Sequence, residues 1–489
     1  MRDRSIDRRK FIQTAGAGAL LAGSAINSTL LAEVARPAGN QPPAKGESES
    51  VGDPDFVRLI TLDPAHFHAA LVQKQMLPGI SKRVAIYAPV GPDLLAHLRL
   101  IEQFNSRPVN PTSWELDIHC SPHSLEEMIA AHPGNVVVLA GRNRIKIGKI
   151  NASLAAGLNV LSDKPWIIRA EDMPALEGAL ALADRKGLVA YDMMTERHEI
   201  TTLLQRELVN DPAVFGTIIP ADPNHPGVLM ESTHHILKAV AGTPNPRPPF
   251  FFDILDQGEG LTDVGTHLVD LVQWTIFPDQ ALDYRQDIRV LSGKRWATPI
   301  TAAQFQQITG AAPFPVELAQ YVHADHFDYY CNNQVDYRIR GAQVRLKVLW
   351  DWESPAGVDF HHAIYRGTNA SVEIRQTEKE KYQPELFIAA NGVERRNAVT
   401  AAVRARVERL QGAYPGVGIE TAGDELHITI ADRYRVGHEA HFAQVVEEFL
   451  KYLESPTSMP VWERPNMLAK YFVTTTGVRM ASPQSRRAK

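Results

Sequence analysis

Cysteine is nearly absent from this chain. Its 489 residues include two, Cys120 and Cys331, each in an apolar, strand-like setting and far apart in sequence. A disulfide-stapled scaffold is thereby excluded, and a chain of this length can bury an ordinary hydrophobic core across two or three domains. Charge of one sign is missing too: 51 Lys and Arg stand against 56 Asp and Glu, for a net charge of −5 and a pI near 6.4. With no basic run interleaved with aromatics, nucleic acid is not an expected partner. No internal repeat occurs, and with 44% hydrophobic and 22% charged residues the composition is that of a globular protein.

The N-terminus departs from that average. Asp7-Arg8-Arg9-Lys10-Phe11-Ile12-Gln13 precedes a weakly hydrophobic, Gly- and Ala-rich run from Thr14 to Leu31. A twin arginine before a modest apolar stretch resembles a Tat export signal, with Ala25 and Ala35 as possible cleavage points. Gly16, Gly18 and Gly23 make the run a poor helix and a poor membrane span. Residues 1–35 are therefore expected to be a Tat-type signal peptide, followed by a Pro-, Gly- and Ser-rich linker over 36–54. The mature chain is expected to be periplasmic or otherwise extracytoplasmic, with no stable membrane insertion. The lack of disulfides fits a route that exports folded, often cofactor-loaded, proteins.

Over 55–195 apolar runs alternate with helical stretches. Strands are expected at Val57 to Asp63, Arg83 to Ala88, Trp114 to Cys120, Asn135 to Ala140, Asn159 to Ser162 and Leu188 to Asp192. That spacing implies right-handed crossovers and a doubly wound parallel sheet, the Rossmann dinucleotide-binding architecture. The glycine fingerprint of that architecture is missing. The first strand-to-helix turn reads Asp63-Pro64-Ala65-His66-Phe67-His68, and the second strand ends in Tyr87-Ala88-Pro89 without an acidic residue.

From 196 to 480 the pattern is that of an α+β domain built on a large, mostly antiparallel sheet. Alternating stretches at Asp328 to Arg338, Ala342 to Trp352, His361 to Tyr365 and Ala370 to Arg375 read as strands, His235 to Val240 as a short helix, and Val436 to Leu453 as a helix. Gly258 to Trp274 reads as a helix with Leu261, Val264, Leu268 and Leu271 on one face and Asp263, His267, Asp270 and Trp274 on another. A His with a pKa of roughly 6.5 and a carboxylate one turn away has the makings of a general base. The same face would also serve as a solvated stripe with an i,i+4 pair worth about 0.3 kcal/mol.

Asn159-Val160-Leu161-Ser162-Asp163-Lys164-Pro165 closes the fifth strand, at the sheet edge where ligands bind. It resembles the E-K-P motif of the glucose-fructose oxidoreductase, inositol dehydrogenase and MocA family, with Asp in place of Glu. Asp263-Val264-Gly265-Thr266-His267 has the spacing of that family's D-x-G-x-H segment, and YRGTNASV and GHEAHFAQVVEEFLKYL are similar to a subgroup with a distinctive C-terminal oxidoreductase domain. That subgroup also tends to replace the glycine loop with D-P-x-H-F-H.

The resemblance implies NAD or NADP as cofactor and catalysis by Lys164, Asp263 and His267. Lys164 would polarise a substrate hydroxyl, His267 would take its proton, and Asp263 would orient the substrate or the ring. Asp63, Ala65, His66, Phe67, His68, Lys164 and Pro165 are the expected cofactor contacts, and Trp166, Asp263 and His267 the expected substrate contacts. No metal site is expected: His438-Glu439-Ala440-His441 lacks the H-E-x-x-H spacing and reads as a helix start after Gly437. The implied partner is a small carbohydrate, and relatives that pair through the second sheet make a homo-oligomer possible. Three activities follow: oxidation of a secondary hydroxyl of a sugar, cyclitol or glycoside; redox-neutral glycoside cleavage through transient oxidation; or carbohydrate binding without catalysis.

Overall fold

The computed structural model describes residues 56–482, apart from 221, 223, 241, 242, 245, 355 and 356. The expected export signal and linker lie outside the described residues. Six short strands, β1 (Leu59–Leu62), β2 (Arg83–Ala88), β3 (Glu115–Cys120), β4 (Val136–Leu139), β5 (Asn159–Ser162) and β6 (Ala190–Asp192), pair in parallel in the order 3-2-1-4-5-6. Every residue of β1 and β4 is buried, because helices cover both faces, which is why these segments read as unbroken apolar runs. Strand order reverses between β1 and β4, so the crevice beyond their carboxyl ends is the switch point where open α/β sheets take ligands.

The second sheet has nine strands. After β7 (Val228–Leu237) comes a small two-strand ladder, β8 (Ala239–Val240) with β9 (Thr243–Pro244). The sheet continues through β10 (Ile288–Thr301), β11 (His326–Ile339), β12 (Ala342–Glu353), β13 (Phe360–Arg366), β14 (Ala370–Arg375), β15 (Glu385–Ala390), β16 (Gly418–Ala422) and β17 (Glu425–Thr429). Its order is 10-11-12-7-13-14-15-17-16, with β7 and β12 parallel and the other neighbours antiparallel.

Two expectations need correction. The helix expected from His235 to Val240 is the end of β7 and the following ladder. β7 lies between β12 and β13, and pairing on both sides overrides the local His- and Thr-rich composition. The chain after 196 also does not stay with the second sheet. Helix His438–Glu454 packs Phe442, Val445, Val446, Phe449 and Tyr452 against Val57, Leu59 and Ile101 of the first domain. Helix Glu463–Ala481 sends Met467 and Tyr471 into the first domain's other face and Ala469 and Val473 into the second core. That helix crosses β10 so closely that a Cβ on Gly293 would sit 2.1 Å from the Gly477 carbonyl oxygen.

Candidate active site

The expected helix from Gly258 to Trp274 is present as Gly260–Asp263 and Gly265–Ile276, joined through Val264, whose backbone is itself helical. Leu261, Val264, Leu268 and Leu271 are buried in the second core. Burying that stripe turns the polar stripe toward the first domain. Beyond β5 the chain runs through Asp163 to Lys164 and Pro165, which are joined by a cis peptide bond. The Lys164 ammonium donates to Asp263 Oδ1 at 2.6 Å, with both side chains mostly buried. Burial would raise the Asp263 carboxyl, but the Lys164 charge and hydrogen bond outweigh it and hold the group below the ordinary range. Residues far apart in the chain thus meet at the carboxyl edge of the first sheet.

His267 lies one turn further along. Its Nδ1 is buried and has no hydrogen-bond partner among the described residues. Burial and the Lys164 charge push its pKa down to about 3, with Glu196 opposing. The expectation of a ring poised near neutral by a carboxylate one turn away is therefore corrected. Asp263 is taken by Lys164, and Asp270 is committed elsewhere, so the imidazole stays neutral.

Asp270 accepts from Arg197 Nε and Nη2 at 2.6 and 2.7 Å. Arg197 also donates to both Glu463 oxygens at 2.9 and 3.0 Å. Lys470 bridges Asp270, at 3.3 Å, to Asp192 at the end of β6, at 3.0 Å. Tyr471 donates to Asp192 at 2.8 Å and accepts from the Trp166 backbone N–H at 2.9 Å. This buried network fixes the helix bearing His267 against the first sheet, so Asp270 positions and does no chemistry. Trp166 is wholly buried in the first domain's core, which removes it from the expected substrate contacts. An indole placed there packs between β5 and the C-terminal helix and has no face to offer a sugar.

At the glycine-free turn, Asp63 adopts φ 46°, the left-handed conformation that a first glycine would supply. Its carboxylate accepts from Ser124 Oγ at 2.9 Å and pairs with Lys149. The Ala65 amide donates to Asp63 O and the His66 amide to Ala140 O. Among the described residues, the Phe67 and His68 amides find no protein acceptor. A Cβ on Gly141, at the end of β4, would lie 2.8 Å from Asp63 O, so the glycine needed for close approach sits across the crevice. His66 is half-buried, Phe67 exposed and His68 buried. Both histidines face Asp163, which also pairs with the buried Lys146 at 2.5 Å.

Sequence reasoning missed Glu196 and Lys146, and gave Asp163 only as the acidic position of the motif. Glu196 follows β6 at the same sheet edge and lies 3.4 Å from His438, at the start of helix His438–Glu454. Burial would raise its carboxyl, but contact with His438 and the nearby His267 and His441 hold it below the ordinary range. Its place just past a strand end was a legible signal. Nothing local marks Lys146, because its partner Asp163 belongs to the next βα unit.

The family model described as "Putative oxidoreductase C terminal domain" matches residues 204–482. The crystal structure of a putative oxidoreductase from Parabacteroides merdae is 45% identical, with a TM-score of 0.86, over 88% of this chain and 98% of that one. The chain belongs to the glucose-fructose oxidoreductase, inositol dehydrogenase and MocA family. It is an oxidoreductase of that family's subgroup with the distinctive C-terminal domain. Two more distant structures share the fold. A putative oxidoreductase from Thermotoga maritima is 13% identical, with a TM-score of 0.56, over 88% of this chain and 98% of that one. GenD2 from gentamicin A biosynthesis, solved with NAD, is 15% identical, with a TM-score of 0.53, over 90% of this chain and 98% of that one. No curated protein matches the chain.

Proposed function

We propose that this family member oxidises a secondary hydroxyl of a sugar, cyclitol or glycoside with NAD or NADP at the Lys164–Asp263–His267 cluster. The observation that carries the reading is the 2.6 Å contact between Lys164 and Asp263 at the carboxyl edge of β5, with a neutral His267 one turn beyond. The turn fits a dinucleotide: the two acidic groups beside it, Asp63 and Asp163, are each paired with a lysine, so no uncompensated carboxylate faces a pyrophosphate. The Phe67 and His68 amides, with Lys164 and Pro165, would hold the cofactor; GenD2, which shares the fold, was solved in complex with NAD. A bound nicotinamide supplies the hydride acceptor. Asp263 holds the Lys164 ammonium in place, and its remaining protons are free to bond the reacting hydroxyl and stabilise developing oxyanion character. His267, held neutral by burial and by the Lys164 charge, would accept the hydroxyl proton, and the Glu196 carboxylate nearby would stabilise the resulting imidazolium.

The test is to denature purified protein and identify released nucleotide by mass spectrometry, then screen glycosides for nicotinamide reduction. Protein that neither carries nucleotide nor binds added NAD or NADP at millimolar concentration would leave the non-catalytic reading in its place. We also propose export through the twin-arginine route, supported by Arg8 and Arg9. Replacing both by Lys should retain folded precursor in the cytoplasm, and undiminished export would end this proposal.

A further inference from the structure

The turn that replaces the glycine loop brings together three groups with metal-ligand chemistry. His66 Nδ1 lies 3.4 Å from Asp163 Oδ2, and His68 Nδ1 lies 3.2 Å from the same oxygen. The two rings sit edge to face with centroids 4.0 Å apart. The three donor atoms all fall within 4.8 Å of one another. With metal–nitrogen and metal–oxygen bonds of about 2.0–2.1 Å, adjacent ligands of a tetrahedral ion stand about 3.3 Å apart. Both measured separations match that edge.

Hydrogen bonding alone does not account for the cluster. His68 Nδ1 bonds Asp163 Oδ2, and His66 Nδ1 is buried 3.4 Å from the same oxygen without a well-formed hydrogen bond. With the ring proton on Nε2, each Nδ1 would offer a lone pair at that shared point. Asp163 Oδ1 is held by the Lys146 ammonium at 2.5 Å, which leaves Oδ2 to bind in one-oxygen fashion and fixes its direction as an outer partner does around known metal sites.

We infer that His66, His68 and Asp163 form a binding site for a divalent transition-metal ion of the zinc class, within the turn that elsewhere in Rossmann folds carries glycines. Two imidazoles and one carboxylate are a donor set suited to zinc, and calcium and magnesium prefer oxygen. Three protein ligands leave the fourth vertex to water or an oxyanion. Ion binding at His68 Nδ1 would place the ring proton on Nε2 and break the hydrogen bond to Asp163, leaving that carboxylate oxygen to the ion.

The full chain, stripped with chelator, would be titrated with Co²⁺ alone while the visible absorption of tetrahedral cobalt is followed, and Zn²⁺ would then compete it away. The expected result is one ion per chain, with affinity reduced at least about 100-fold in His66→Gln and in Asp163→Asn. His66 is half-buried, so if Asp163→Asn fails to fold, His66→Gln alone decides. No uptake at micromolar Co²⁺ overturns the inference. So does uptake that survives His66→Gln but is lost in His438→Gln, which would locate the ion on helix His438–Glu454 instead.

Discussion

Asp263 and Asp270 stand two turns apart on one helical run, and both are carboxylates held ionised in low-dielectric surroundings by cations. Asp270 is saturated: Arg197 occupies both its oxygens, Lys470 approaches a third time, and the carboxyl is pulled down to about 2 against burial. Among the described residues Asp263 has one salt-bridge partner, Lys164, and that ammonium keeps donors to spare. A fully satisfied carboxylate can only hold elements together, and one with a single partner can join in recognition. Sequence spacing gives the two residues the same rank, and the number of partners separates them.

The largest expected effect comes from breaking the saturated site. Arg197→Met should lower unfolding stability by about 3–5 kcal/mol, because it strands Glu463 as a buried carboxylate without its ion-pair partner and leaves Asp270 with Lys470 alone. Urea unfolding measures this, and a loss under about 1 kcal/mol would erase the contrast with Asp263. At the unsaturated site, His267→Ala and Lys164→Met should each reduce turnover by on the order of 10²-fold or more while nucleotide affinity changes little in His267→Ala. If His267→Ala keeps full activity, the helix is structural along its whole length.

pH sharpens the comparison further. Burial depresses His267 to about 3 and His97, His361 and His441 to about 4. Below the unfolded value of about 6.5 the unfolded chain binds protons that the folded chain refuses, so stability should fall steadily from pH 6.5 toward pH 4. Above pH 6.5 these histidines contribute no slope. In the free enzyme the acid limb of kcat/KM that belongs to His267 should lie below pH 4, and a limb near 6.5 would assign the proton acceptor to another group. The smallest effect is expected for Asp63→Gly. Relief of the left-handed backbone offsets the lost Ser124 and Lys149 contacts, leaving stability within about 1 kcal/mol of the parent by thermal or denaturant unfolding.

The first sheet was legible because parallel strands buried on both faces carry apolar runs, and β1, β4 and β5 announce themselves. Lys164 and Asp263 could be paired from motif order. β10 was not seen, since Gly293, Pro299 and its exposed charges belong to an edge strand with two register breaks. Helix Val393–Leu410 was missed because its buried residues, Val399, Val403, Val407 and Leu410, form a single narrow stripe in a charged segment. Trp166 and Asp270 were misjudged for a common reason. What buries them is helix Glu463–Ala481, nearly at the other end of the chain, and no local pattern reports so distant a partner.

That same return of the chain bears on how the protein is made. When a ribosome has released the first six strands, the apolar faces that Phe442, Phe449, Met467 and Tyr471 will cover are still bare, and their covers are not yet synthesised. The first half of the chain therefore depends for part of its apolar cover on the last segments to be translated. A C-terminal truncation that removes those helices is expected to expose apolar surface of the N-terminal half, a lesion far from the cut in sequence.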